Sequence, residues 1–257
     1  MSNVILLAHT PNPEYTVAAA AKLCYSNSSI TGLMDNLTEE KATSFVEMLS
    51  EIGHESPIEH AAFTFGIEGV SRALLAQITR HRIASFSVKS QRYVREGEFE
   101  YIIPPEISAE PEAYEIYKEI MAEDQKKYDR IAEILKKKHI KTFIAEGNDE
   151  KTAARLAEKK AIEDARFVLP NACKTQMVVT MNARSLLNFF NLRCCRRAQW
   201  EIQDVANQML ALVIKVAPNI FKNAGPSCLR GGCKEGKMTC GAANEVREFY
   251  KELKENG

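Results

Sequence analysis

The segment Arg80-His81-Arg82-Ile83-Ala84-Ser85-Phe86-Ser87-Val88-Lys89-Ser90-Gln91-Arg92 sets cationic and titratable side chains among small hydroxyl residues, with no acid inside it. Basic runs on helices ordinarily alternate with Glu or Asp, as residues 118–138 of this chain do. Where that counter-charge is missing, an anionic ligand can supply it. The planar fork of arginine suits phosphate, each charge-assisted bond contributing about 1.5–3 kcal/mol. Ser90 sits beside cations with no base in sequence reach, which suits a phosphate ligand better than a nucleophile. The same pattern also fits a basic helix end, favoured by its dipole and followed by a solvated loop.

A second group is Arg166, Asn182, Arg184, Asn188 and Arg193. Arg184 and Asn188 are four apart and share a helix face, where amide and guanidinium groups can read the polar edges of a heterocycle and balance its developing charge. Side chains that simply meet water are the alternative. A third group is Gly53-His54-Glu55-Ser56-Pro57-Ile58-Glu59-His60. Its two histidines and two carboxylates invite a metal, but a spacing of six with a proline between is not the i, i+4 metallopeptidase arrangement. Ser56, Pro57 and Glu59 read equally as a capped helix start.

The elements that must hold these groups follow from periodicity. Thr38 caps a helix whose apolar face is Ala42, Phe45, Leu49 and Ile52, stopped by Gly53. Phe63, Phe65 and Ile67 alternate with Thr64, Gly66 and Glu68 as a strand. Ser71 caps a helix through Leu74, Leu75 and Ile78 that ends at the basic cluster. A charged helix covers about 111–139, Gly147-Asn148-Asp149 breaks it, and a second helix runs to about Phe167. Met177, Val179 and Met181 mark another strand, and helices follow over Ala183–Arg193 and Ala198–Val216, the latter ended by Pro218. This pattern predicts an α+β class, helices packed on an antiparallel-containing sheet, in one catalytic domain over residues 1–225. Residues 226–257 form a cysteine-containing, glycine-rich tail with a short charged helix.

With 257 residues, 45 % apolar, the chain can bury a full core without staples. The 34 basic and 34 acidic side chains cancel, which argues against a general nucleic-acid binder or a polybasic membrane protein. No apolar run reaches a membrane span, and the first eight residues lack the basic and apolar regions of a signal peptide. Seven cysteines, an odd number, fit a reducing cytoplasm. Cys228, Cys233 and Cys240 are one ligand short of a structural zinc site, and Cys24, Cys173, Cys194, Cys195 or a neighbouring subunit could complete it; unpaired thiols and no metal are the reading adopted. Cys194 and Cys195 lie among Arg193, Arg196 and Arg197, a field that lowers a thiol pKa and leaves a cysteine nucleophile open.

Together these segments closely resemble the flavin-dependent thymidylate synthases. The family signature is Arg-His-Arg, seven residues, Ser, one residue, Arg, and Arg80-His81-Arg82, Ser90 and Arg92 match it in spacing. The block His54–His60, and Asn182-Ala183-Arg184-Ser185-Leu186-Leu187-Asn188-Phe189 through Arg193 with Ala198-Gln199-Trp200-Glu201, are similar to the family's other two blocks. The three together cover most of residues 15–220.

The resemblance implies conversion of dUMP to dTMP with methylenetetrahydrofolate as carbon donor, NAD(P)H as reductant and FAD as redox carrier, without a covalent enzyme nucleophile. It implies a cytoplasmic homotetramer with shared active sites. Ser56, Arg80, His81, Arg82, Val88, Asn182, Arg184 and Asn188 match positions that contact FAD. Gln77, Arg80, Val88, Ser90, Gln91, Arg92, Arg166 and Arg193 match positions that bind dUMP. Arg193 matches the position that stabilises the uracil anion, the one catalytic residue carried over. Two positions depart from the pattern: Cys24 stands where some relatives have a serine near the flavin, and Val88 where some have a glutamate, so Val88 offers only backbone or apolar contact. A non-catalytic nucleotide- or metal-binding regulator on the same scaffold would need a broken arginine set, and Arg80, Arg82, Arg92, Arg166, Arg184 and Arg193 are all present.

Overall fold

The computed structural model describes residues 2–92 and 99–255, and its chain divides into two units. Met1–Glu68, Ala76–Ser87 and Gln176–Gly257 form the first; Gly69–Leu75 and Val88–Thr175 form the second. The class is α+β, as the pattern predicts: helices pack on a four-stranded sheet of order β1-β2-β4-β3, with β1 (Asn3–His9), β2 (Ala62–Ser71), β3 (Ser85–Val88) and β4 (Lys174–Asn182).

The predicted strand core is where the alternation puts it, because a period of two sends every second side chain to the covered face. Phe63, Phe65 and Ile67 of β2 and Val179 of β4 are fully buried. Thr64 and Thr180 meet on the polar side at 2.9 Å. β1 pairs antiparallel with β2, its register shifting between Leu6 and Ala8. β1 shows no clean alternation, Val4 being its buried residue, whereas the four residues of β3 alternate between exposed and half-buried positions.

Helices of the first unit are α1 (Pro13–Leu23), α2 (Ile30–Asn36), α3 (Glu39–Ile52), α8 (Ala183–Arg193), α9 (Trp200–Val216), α10 (Pro218–Phe221) and α11 (Ala243–Glu255). Thr38 caps α3 by accepting from the Lys41 amide, and Gly53 ends it at a φ of 70°, the left-handed conformation that favours glycine. α9 begins at Trp200 rather than Ala198, because Gln199 accepts from the amides of Glu201 and Ile202 and so starts the helix there. Phe189, Phe190 and Phe221 stack edge to face, Phe190 and Phe221 with centroids 6.0 Å apart, and seal the core behind α8. The expected cap at Ser56 does not form. Pro57–His60 is a single 3₁₀ turn, and the Ser56 hydroxyl instead lies 3.2 Å from His54 Nε2.

In the second unit α5 (Pro105–Ala109) leads into α6 (Pro111–Ala145), which packs along α7 (Glu150–Ala165). Ala153, Ala157 and Ala161 are spaced by four and completely buried, so a stripe without bulk lets the helices approach. Lys136 and Glu158 bridge the pair at 2.6 Å. Asp149 accepts from the Thr152 amide and starts α7 after the predicted break. Ser71 accepts from the Leu74 amide at 3.0 Å, the predicted cap of α4 (Arg72–Ile78). No helix of the described residues is long and apolar enough to cross a membrane.

Candidate active site

The basic cluster leaves the end of α4 through a tightened turn, in which Arg80 and His81 donate their amides to the carbonyls of Gln77 and Ile78. Across from it α8 starts at a firm point. Asn182 accepts from the Ser185 amide at 2.8 Å, and the Ala183 amide donates to Ala61 at 2.7 Å. Helical spacing then sends Arg184, Leu187, Asn188 and Asn191 to one side. These residues, with Arg80, His81, Arg82 and Arg193, line a cavity of about 860 Å³ in the first unit.

Its lining carries six cations, Arg80, Arg82, Arg184, Arg193, Arg230 and Lys234, against two carboxylates, Glu55 and Glu59. Both carboxylates are taken by Arg184, Glu59 at 2.6 Å and Glu55 at 3.5 Å. Arg80, Arg82, Arg230 and Lys234 have no salt bridge among the described residues. The cavity therefore keeps an excess positive charge that an anionic ligand would offset.

His81 sits inside this field and answers to it. Burial, and then the Arg193 charge, push its pKa down to about 4, so it is neutral near pH 7. Its Nε2 accepts from Arg193 Nε at 3.1 Å, which leaves the ring proton on Nδ1. The ring packs edge-on against Phe189 with centroids 4.9 Å apart. Arg193 is held below its ordinary range by burial and by Arg80, yet guanidinium stays charged. A neutral imidazole thus fixes a charged guanidinium at the cavity wall.

The other expected site residues are placed as follows. Ser56 lies outside the lining, between Glu55 and the turn that bears Glu59. Gln77 belongs to α4. Val88, Ser90, Gln91, Arg92 and Arg166 belong to the second unit. There Val88 ends β3, Gln91 is buried, and the Ser90 hydroxyl accepts from the Arg92 amide at 3.2 Å. The expectation that the basic segment lacks an acid partner fails at Arg92, which pairs with Glu163 at 2.7 Å, a carboxylate delivered by α7. Arg166 donates Nε to the Glu163 carbonyl at 3.0 Å.

Ile83, Ser185, Leu187, Asn191 and Leu192 complete the wall without having been singled out; the i, i+3, i+4 face of Arg184 and Asn188 was the sign that could have found Leu187 and Asn191. Arg230 and Lys234 gave none. The expected low thiol pKa is overturned at Cys194: burial pushes it up to about 12, and neither Cys194 nor Cys195 lines the cavity. Cys195, Cys228, Cys233 and Cys240 instead line a separate small cavity. Among the described residues no three His, Cys, Asp or Glu side chains are grouped so that they could hold a metal ion.

Residues 5–219 match the family model described as thymidylate synthase complementing protein. The chain is similar to the flavin-dependent thymidylate synthase of Clostridium tetani, 56 % identical over 247 residues that cover 96 % of each chain. It is similar also to the enzymes of that name from Geobacter sulfurreducens, 45 % identical over 97 % of this chain and 98 % of the relative, and from Pyrococcus abyssi, 37 % identical over 99 % of each.

Proposed function

Since the chain belongs to the flavin-dependent thymidylate synthases, enzymes of the methyltransferase type, we propose that it makes dTMP by reductive methylation of dUMP. FAD is the redox carrier, methylenetetrahydrofolate the one-carbon donor and NAD(P)H the reductant. The observation that carries this reading is the cavity's uncompensated charge, six cations against two carboxylates already held by one of them. Such a lining suits a flavin, whose reduced ring and phosphates are anionic, and the cavity also offers the amides of Asn182 and Asn188 for ring edges. When bound, FAD supplies the two-electron chemistry that the side chains lack.

Flavin contacts fall to Ser56, Arg80, His81, Arg82, Val88, Asn182, Arg184 and Asn188. The nucleotide falls to Gln77, Arg80, Val88, Ser90, Gln91, Arg92, Arg166 and Arg193, with Ser90 and Arg92 holding the phosphate. Arg92 then exchanges Glu163 for the phosphate dianion, a stronger partner. For C5 of the uracil to become nucleophilic, electron density must move in from N3 and O4. Arg193 stabilises the resulting anion, and neutral His81 keeps its guanidinium aimed. No enzyme nucleophile takes part, a view supported by the burial of Cys194 and its raised pKa. The same reading includes a homotetramer with shared active sites in the cytoplasm, a catalytic part over residues 1–225 and a cysteine-bearing tail over 226–257.

The test is a visible absorption spectrum of FAD-reconstituted protein during dUMP titration. Flavin bands that stay with the protein and shift saturably with dUMP, followed by dTMP formation with folate and NADPH or NADH, are the expected result. Protein that retains no flavin overturns the reading.

A further inference from the structure

Arg230 and Lys234 belong to the segment after Gly225, beyond residues 5–219 that match the family model, yet they line the same cavity as Arg80, Arg82 and Arg184. Neither has a salt bridge or a side-chain hydrogen bond among the described residues.

The segment that carries them is a built one. Arg247 of α11 donates Nε to the Cys228 carbonyl at 3.0 Å and Nη2 to the Gly231 carbonyl at 3.1 Å, so its fork grips the backbone on both sides of Arg230. Asn244 Oδ1 accepts from the same guanidinium at 3.1 Å and orients it. The Lys234 amide donates to Ser227 Oγ at 3.4 Å, closing the loop. Gly225, at a φ of 128°, lets Leu229 pack where a Cβ would stand 2.5 Å from its Cδ1. Burial, and then the nearby Arg230 charge, hold Lys254 down to about 8.

Two cations held by a braced loop against four more arginines repel one another unless an anion lies between them. Arg184 already has carboxylate partners in Glu55 and Glu59, whereas Arg230 and Lys234 have none among the described residues. We propose that Arg230 and Lys234 form an anion subsite of this cavity that takes the pyrophosphate of a dinucleotide flavin. The inference rests on the flavin reading above: the flavin-assigned Arg80, His81, Arg82, Asn182 and Asn188 line this cavity, whereas Ser90, Arg92 and Arg166 are not among its lining residues.

The experiment titrates flavin-free full-length protein with FAD and, separately, with riboflavin, which has the same ring and no phosphate. Quenching of flavin fluorescence is the readout, compared between the natural chain, the Arg230→Ala/Lys234→Ala double variant and the Arg230→Gln/Lys234→Gln variant. Both side chains are exposed, and unchanged thermal midpoints verify folding. The expected result is FAD affinity about 10- to 100-fold weaker in both variants, with riboflavin affinity unchanged and the FAD difference shrinking in high salt. Unchanged FAD affinity, or equal weakening for riboflavin, overturns the subsite while leaving the flavin reading standing. A natural chain that binds neither flavin refutes that reading itself.

Discussion

Lowering the pH should loosen this protein through His81 in a calculable way. The folded ring protonates only near pH 4, against an ordinary value of 6.5, because it is desolvated and faces Arg193. Between those values the unfolded chain takes up a proton that the folded chain refuses, so stability is complete above pH 6.5 and falls as the pH drops toward 4. For a fully enclosed ring the gap corresponds to about 3 kcal/mol, and the partial exposure of His81 reduces that to about 1–2 kcal/mol. His81→Gln keeps an oxygen that can accept from Arg193 Nε but removes the titration. Urea unfolding at several pH values across this window, natural chain against variant, subtracts the contribution of the carboxylates common to both. The natural chain should lose about 1–2 kcal/mol more than the variant on acidification. Parallel curves for the two proteins would refute a neutral, Arg193-bonded His81.

Arg193→Lys keeps a charge but loses the Nε–H bond to His81, so dTMP formation should fall about 100-fold, measured at saturating dUMP, while FAD is retained. Glu163→Gln removes the carboxylate that competes with the phosphate for Arg92, and equilibrium binding should show dUMP held equally well or a few-fold more tightly (about two- to fivefold for a pair this exposed). Replacing Cys194 and Cys195 by serine should leave substantial dTMP formation; complete loss with FAD still bound would support a cysteine nucleophile. Ser71→Ala removes the buried cap of α4 and should cost about 1 kcal/mol in chemical denaturation.

Thr38, Ser71, Asp149 and Asn182 each accept from the amide three residues on, and the apolar steps of three, four or two lie within single elements. Caps and periodicity act over one or two turns, so the amino-acid order alone determines the main helices, the strands β2 and β4 and the place of the Arg80–Arg82 cluster at a helix end. The family signature added which side chains to look for. Partnerships between distant segments were not legible, because nothing local encodes them. The pairing of Arg184 with Glu59, the Arg92 ion pair with Glu163 and the grip of His81 on Arg193 each join residues far apart in the chain. The same holds for Cys194. Its basic neighbours in sequence suggested a reactive thiolate, but in space it is enclosed, and desolvation outweighs the Tyr250 hydroxyl and the Lys254 charge that act to lower its pKa. Arg230 and Lys234, in a tail with no periodicity to read, reach the cavity because α11 folds back and Arg247 holds their loop there. Charge balance at a site is a sum over every segment that reaches it, and that sum exists only once the chain has folded.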